Sequence, residues 1–174
     1  MKLILARHGA AEDHGSKPDP ERALVDKGRE QATMMGKVVA ATLGVPGAVW
    51  SSPLRRAVET ARGAMAAMGL KTEPKLTTDL GPGGDAEQLA WLAHRSGCDL
   101  LMLVGHQPDL GLFAARLLGM RSEIDLKKGA FTVIETTDPT KPVARALASL
   151  VPGQYQDILE GRMYAPWMRS RLRV

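Results

Sequence analysis

Four residues of this chain carry side chains suited to handling a phosphate group: Arg7, His8, Arg56 and His106. A guanidinium fork matches phosphate oxygens bidentately. A neutral imidazole is a nucleophile when one ring nitrogen is free and the other is held as a donor. Arg7-His8-Gly9 is by itself only three residues, and its meaning comes from what precedes it. Leu3 to Ala6 is a short apolar run stopped by Gly9, which reads as a buried strand opening into a loop. Asp99 to Val104 is the clearest buried strand of the chain, and Gly105-His106 ends it. Arg56 falls on the first turn of a helix that follows a third short run, Gly47 to Trp50. In a parallel sheet these strand ends share one edge, where open α/β sheets bind ligands. The helix start near Ser52 and the groups after His106, including Gln107, add donors and positive dipole ends.

The elements that must position these groups alternate between short apolar runs and long amphipathic stretches, the pattern of an α/β fold with a largely parallel sheet. Residues 11–22 are polar, contain Pro18 and Pro20, and read as a loop long enough to be functional. A helix is expected from Asp26 to Leu43, with Met34, Met35, Val38, Val39 and Leu43 at helical spacing and Gly44 and Pro46 as its stop. Ser52 is expected to cap the next helix, with Pro53 at its first position and its end towards Gly69. Further helices are expected at 85–95 and from Pro108 to Leu118. Phe131–Glu135 and Ala144–Leu150 read as two more strands towards one edge. The last twenty residues show no readable pattern. No repeat or linker divides the chain, so one domain over 1–174 is expected.

Composition narrows the class. At 174 residues, with 44% apolar and 24% charged residues, the chain is an ordinary globular protein whose core is aliphatic, since aromatics make up 4%. The single cysteine, Cys98, leaves no internal disulfide and suits a reducing cytoplasm, as a packed thiol and not a nucleophile. No apolar run approaches the roughly 20 residues that cross a bilayer, and no signal peptide is read. The formal charge of +4 could suggest nucleic acid. However, Arg162, Arg169, Arg171 and Arg173 crowd the last thirteen residues, which makes a solvated tail the better reading. Neither nucleic acid nor membrane is expected as a partner. No carboxylate or histidine cluster has metal-ligand spacing, so no metal and no cofactor are expected.

Three segments carry a family resemblance: Leu5-Ala6-Arg7-His8-Gly9, the run Ser51-Ser52-Pro53-Leu54-Arg55-Arg56-Ala57-Val58-Glu59-Thr60-Ala61, and Gly105-His106. Together they resemble the histidine phosphatase superfamily, which includes the cofactor-dependent phosphoglycerate mutases. The spacing Ser-x-x-x-Arg-Ala-x-x-Thr-Ala selects Arg56 over Arg55 as the pocket arginine. The Pro-x-Gly-Asp loop at Pro82 to Asp85, Lys127-Lys128-Gly129 before a strand, and the small size are similar to the SixA-type phosphohistidine phosphatases. The resemblance covers the chain to about Pro152. It implies a phosphoglycerate-mutase-like three-layer α/β/α sandwich with a mostly parallel sheet.

The resemblance also implies a mechanism. His8 attacks phosphorus and forms a phosphohistidine that water hydrolyses. Arg7, Arg56 and His106, the last as imidazolium, meet the charge on the equatorial oxygens. Wider family members place a carboxylic acid where this chain has Pro82. Asp85 is the nearest acid in that loop, and Asp79 is a second candidate that precedes the turn. An alkoxide leaving group needs a proton, whereas a phosphohistidine whose ring is protonated leaves as neutral imidazole. The expected substrate is therefore phosphohistidine, on a protein of the histidine-phosphotransfer type. The substrate-binding set is Arg7, Arg56, His106, Gln107 and Asp85. The alternatives are a phosphatase of small phosphate esters, which would need Asp85 or another acid, and a phosphate-recognition module without turnover. His14 and His94 read as surface residues, although His14 could line the entrance. Glu12 and Asp13 could face the site or water.

Overall fold

The computed structural model describes residues 1–15 and 17–163; Arg169, Arg171 and Arg173, expected in a solvated tail, lie outside the described residues. Six strands form one sheet in the order β3-β2-β4-β1-β5-β6. They are β1 Lys2–Arg7, β2 Ala48–Ser51, β3 Lys75–Leu76, β4 Leu100–Gly105, β5 Phe131–Thr136 and β6 Ala144–Leu150. The pairs β1–β4, β2–β4 and β2–β3 are parallel, while β5 runs antiparallel to β1 and β6 antiparallel to β5. The helices are α1 Asp26–Thr42, α2 Arg55–Ala67, α3 Ala86–Arg95, α4 Asp109–Leu117 and α5 Tyr155–Leu159.

Strand side chains alternate between two faces, and each face carries its own helices. Ile4, Ala6, Met102 and Val104 pack with Met35, Val38, Val39, Ala61 and Met65 of α1 and α2, and with Tyr155 and Ile158 of α5. Leu3, Leu5, Leu101 and Leu103 pack with Leu89 and Ala93 of α3 and with Leu110, Phe113 and Leu117 of α4. The central strands are buried on both sides, which is why they read as unbroken apolar runs. This is the expected sandwich. Truncating a side chain such as Leu5, which is fully buried, to alanine costs about 2–5 kcal/mol by the usual cavity effect.

The order of the strands places a crevice. From β1 the chain leaves by α1 on one face, and from the adjacent β4 it leaves by α4 on the other. Connections departing in opposite directions from neighbouring strands open a gap at their carboxyl ends, the usual ligand position of an open α/β sheet.

Helix α1 begins where expected and ends a residue early. Gly44 takes φ 92° and its N–H reaches back to the Val39 carbonyl, a closure that favours glycine. Among the strands and α-helices described, two escaped the pattern reading. Strand β3 has two residues, and α5 has five, within the stretch that showed no pattern. Both are too short for periodicity to register. α5 is held by tertiary contact: Tyr155 is buried and its hydroxyl donates to the Gly129 carbonyl at 2.5 Å.

One expectation is corrected. Ser52 and Pro53 do not open α2, whose first residue is Arg55 with Leu54 before it as the cap. The Ser52 hydroxyl instead accepts from the Leu54 N–H at 3.2 Å. This two-residue turn competes with helical capping and leaves the hydroxyl facing the sheet edge.

Candidate active site

Sheet register brings the two histidines together. Arg7 is the partner of Gly105 across the β1–β4 ladder, so the next residues, His8 and His106, emerge side by side. Their ring centroids are 5.0 Å apart. Ser51 pairs with Val104 in the same way, which sets the Ser52 hydroxyl 2.9 Å from His106 Nε2. Arg56, one residue into α2, sends Nε to within 3.4 Å of His8 Nε2. All four expected residues line one cavity of about 360 Å³.

The loop bearing His8 is pinned on every side. The His8 N–H donates to the Gly105 carbonyl, and the His8 carbonyl accepts from the Gly129 N–H. The Gly9 N–H donates to Thr60 Oγ1 at 3.0 Å, and the Thr60 hydroxyl donates to the Arg56 carbonyl at 2.7 Å. Thr60 thus ties the His8 loop to the helix that carries Arg56. Gly9 lies against Gly28 of α1, and a Cβ on Gly28 would sit 1.9 Å from the Ala10 carbonyl oxygen. Only glycine allows the loop to lie that close to the helix.

His8 Nδ1 lies 2.7 Å from the Gly9 carbonyl oxygen. A carbonyl only accepts, so Nδ1 carries the proton and Nε2 keeps its lone pair, which accepts a long hydrogen bond from Arg56 Nε at 3.4 Å. Burial, followed by the positive charges of Arg56, Arg7 and Lys128 after the opposing Gly9 hydrogen bond, pushes the His8 pKa down to about 4. The ring is a neutral base at pH 7. His106 is pushed down to about 3 by burial and then by His8 and Arg56. The imidazolium expected at this position therefore does not exist at neutral pH among these cations alone. An anion in their midst opposes them, so protonation of His106 and anion binding are linked. His106 Nδ1 is buried without a protein partner, as is Arg7 Nε. Buried polar atoms left unpaired cost about 1–3 kcal/mol each.

Arg7 is anchored by Nη1 donating to the Leu126 carbonyl at 2.7 Å. Arg56 is held on its far side, with Nη1 donating to the Asp19 carbonyl at 2.8 Å and Nη2 to Asp19 Oδ2 at 3.0 Å. Its Nε remains directed at His8. Asp19, Arg22 and Lys128 also line the cavity, and the sequence analysis missed all three as site residues. The pairing of Asp19 with Arg22 on one turn, within a loop already read as functional, was the available signal. Arg7, Arg22, Arg56 and Lys128 set four cations against the one carboxylate of Asp19. The cavity therefore suits a multiply charged anion.

The remaining expectations divide. Gln107 lines the cavity, but its carboxamide is committed to the Ile124 carbonyl at 2.9 Å and to the Gly111 N–H at 3.0 Å. Pro82 lines the cavity; Asp85 is not among its lining residues. The Asp85 carboxylate accepts from the Glu87 and Gln88 N–H groups and caps α3, so the helix N-terminus draws it away from the site. Asp79 is engaged by the Thr77 hydroxyl at 2.7 Å. His14 is at the entrance, its side chain 85% exposed and its Nδ1 3.6 Å from Asp19 Oδ1. Glu12 faces its own loop, accepting from Lys17 and from the Ala23 N–H. His94 lies near Asp138 at the end of α3, and Cys98 is half-buried away from the cavity. Among the described residues, no group of three His, Cys, Asp or Glu is placed to hold a metal ion. None of the described helices is long and apolar enough to cross a membrane.

Comparison with known proteins bears on the family and the fold. The model of the histidine phosphatase superfamily (branch 1) matches residues 3–81. An uncharacterized protein of Picosynechococcus sp. is 38% identical over 122 residues, which are 66% of this chain and 71% of that one. The protein histidine phosphatase SixA, solved in complex with tungstate, superposes with a TM-score of 0.79 at 20% identity over 88% of this chain and 99% of its own. The alpha-ribazole phosphatase from Shigella flexneri gives 0.68 at 20% identity, over 87% and 97%. A phosphoserine phosphatase mutant from Entamoeba histolytica, in complex with phosphoserine, gives 0.65 at 17% identity, over 88% and 98%. At these identities the structures share the fold.

Proposed function

Because this chain belongs to the histidine phosphatase superfamily, and because His8 turns an unprotonated Nε2 into a basic cavity, we propose that it is a phosphohistidine phosphatase acting on a phosphorylated protein. His8 Nε2 attacks phosphorus as the bond from phosphorus to the substrate's ring nitrogen breaks, and the electron pair returns to that nitrogen. Water then attacks the phospho-His8 intermediate, giving inorganic phosphate and free His8. Arg7 and Arg56 take the equatorial oxygens, and His106 gains its proton as the anion arrives. Stabilisation of this kind by oriented donors is the main protein contribution to phosphoryl transfer. The arginines and Lys128 do the neutralising that a divalent ion does elsewhere, so the reaction needs no metal.

The observation that carries the choice of substrate is the state of the acids. Asp19 is the only carboxylate lining the cavity among the described residues, and it is ion-paired to Arg56 and Arg22. Its carboxyl is held below the ordinary range: burial works in the opposite direction, but the hydrogen bond and charge of Arg56 outweigh it. An acid of that kind is a poor proton donor to an alkoxide, and Asp85 is engaged elsewhere. A leaving group that already carries its proton removes the need.

The test is a panel assay in excess EDTA comparing a phosphohistidine protein with sugar and glycerol phosphates. Full activity with chelator and a preference of about 10²-fold or more for phosphohistidine are expected. Equal rates on the alkyl esters would favour a small-ester phosphatase. Phosphate binding without turnover on any substrate would favour a recognition module. Loss of activity in EDTA, restored by a divalent ion, would overturn the account of the arginines.

A further inference from the structure

The reaction just described leaves Asp19 with no chemical task, yet the fold brings its carboxylate into the cavity that holds His8 and onto Arg56. Arg56 and Arg22, which grip it, are almost wholly buried, while the Asp19 side chain itself is 44% exposed. Oδ2 is 3.0 Å from Arg56 Nη2. Oδ1 is 2.9 Å from Arg22 Nε and 3.6 Å from Nδ1 of the exposed His14. A carboxylate can accept about four hydrogen bonds, so these contacts leave acceptor capacity on the exposed side. A group displaced in line by His8 Nε2 leaves on the side of phosphorus away from His8. The other charged groups lining the cavity, Arg7, Arg22, Arg56 and Lys128, are cations that repel a substrate ring carrying positive charge.

We propose that Asp19 is a specificity residue for N-phosphorylated imidazole, its carboxylate accepting a hydrogen bond from the N–H of the ring nitrogen that is not bonded to phosphorus. This rests on the phosphohistidine reading above and adds the group that recognises the leaving ring. The proton count balances without a protein acid. The substrate ring enters protonated at its far nitrogen, the electrons of the broken P–N bond neutralise the ring, and imidazole departs with the same N–H. An ester oxygen offers no such donor, and an alkoxide would develop its negative charge beside Asp19. One side chain thus attracts the right leaving group and repels the wrong one.

The proposal is tested with three probes: phosphoimidazole, its analogue methylated on the far ring nitrogen, and p-nitrophenyl phosphate. The methylated probe keeps the ring's positive charge and loses only the N–H. For the unaltered protein, kcat/KM for phosphoimidazole, relative to the rate in water, is expected to exceed that of the methylated probe by at least about tenfold, the scale of one charge-assisted hydrogen bond. Asp19→Asn keeps an oxygen for Arg56 Nη2 and removes the charge. It should erase that preference and lower phosphoimidazole turnover about 10–100-fold more than p-nitrophenyl phosphate turnover. Equal relative rates for the two imidazoles with the unaltered protein would overturn the proposal. A variant that slows phosphoimidazole and p-nitrophenyl phosphate by the same factor would also do so, and would leave Asp19 as a support for Arg56 alone. The methyl comparison needs no variant, so it stands even if Asp19→Asn fails to fold. Failure of the phosphohistidine reading would show separately, as sugar phosphates turned over as fast as a phosphohistidine protein.

Discussion

The two edges of the sheet carry cavities of similar size and different character. At the amino edge, about 420 Å³ is lined by Met1, Lys2, Val45, Asp99, Glu135 and their neighbours. At the carboxyl edge, about 360 Å³ is lined by His8, His106 and the arginines. The amino-edge charges have both signs, and Glu135 is satisfied by Arg145 at 2.6 Å. Their environment leaves them ordinary surface ions, each worth little. At the carboxyl edge His8, Arg22, Arg56 and His106 are all buried, with cations in excess. The starts of α2 and α4 point there too, whereas helix ends face the amino edge. Volume therefore does not identify the site. Buried like charges and unpaired buried polar atoms set the carboxyl-edge cavity apart, because the fold sustains them only at the cost of stability.

That contrast can be broken most directly by removing the proposed nucleophile. His8→Ala should lower kcat by at least about 10³-fold with an unchanged far-UV circular dichroism spectrum. Quenched reactions of the unaltered protein should contain acid-labile, base-stable phosphate bound to the chain. A variant that keeps most of its turnover would end the covalent mechanism.

Arg56 comes next in size. Arg56→Lys keeps the charge but loses the fork that reaches Asp19 and the anion together. We expect kcat/KM to fall about 10²-fold. The same change at Arg145, which serves the ordinary edge, should leave the rate within about twofold. Comparable losses at both positions would erase the distinction between the edges.

The pH dependence sharpens it further. Both histidines have folded pKa values lowered from 6.5, to about 4 and about 3. Between pH 6.5 and 4 the unfolded chain binds protons that the folded protein refuses, so stability falls as the pH drops through that window. His106→Gln should remove part of the fall, on the order of 2 kcal/mol, read from urea melts at pH 7 and pH 4.5. Parallel losses in variant and unaltered protein would show that burial does not hold His106 neutral.

The smallest effect concerns the acid that caps a helix. Asp85→Ala should cost about 1 kcal/mol of stability through the lost cap of α3, with phosphohistidine turnover within about twofold. A collapse of turnover without loss of stability would return Asp85 to the site.

Much of this protein was legible in the residues themselves. Apolar runs stopped by glycine located β1 and β4, and the period of Met35, Val38 and Val39 located α1, because burial on a strand or helix face leaves its spacing in the sequence. Arg7, His8, Arg56 and His106 could be named because their side chains suit phosphate chemistry at strand and helix ends. Two things lay outside that reach. Pairing register is a long-range property, and only the alignment of Arg7 with Gly105 and of Ser51 with Val104 set His8, His106 and Ser52 within contact. Competition for hydrogen bonds was equally hidden. The same residue types could have made Ser52 a helix cap and Asp85 a site acid. Backbone N–H groups two and three residues further on decided otherwise, and the Arg56 guanidinium drew in Asp19, from a loop without periodicity.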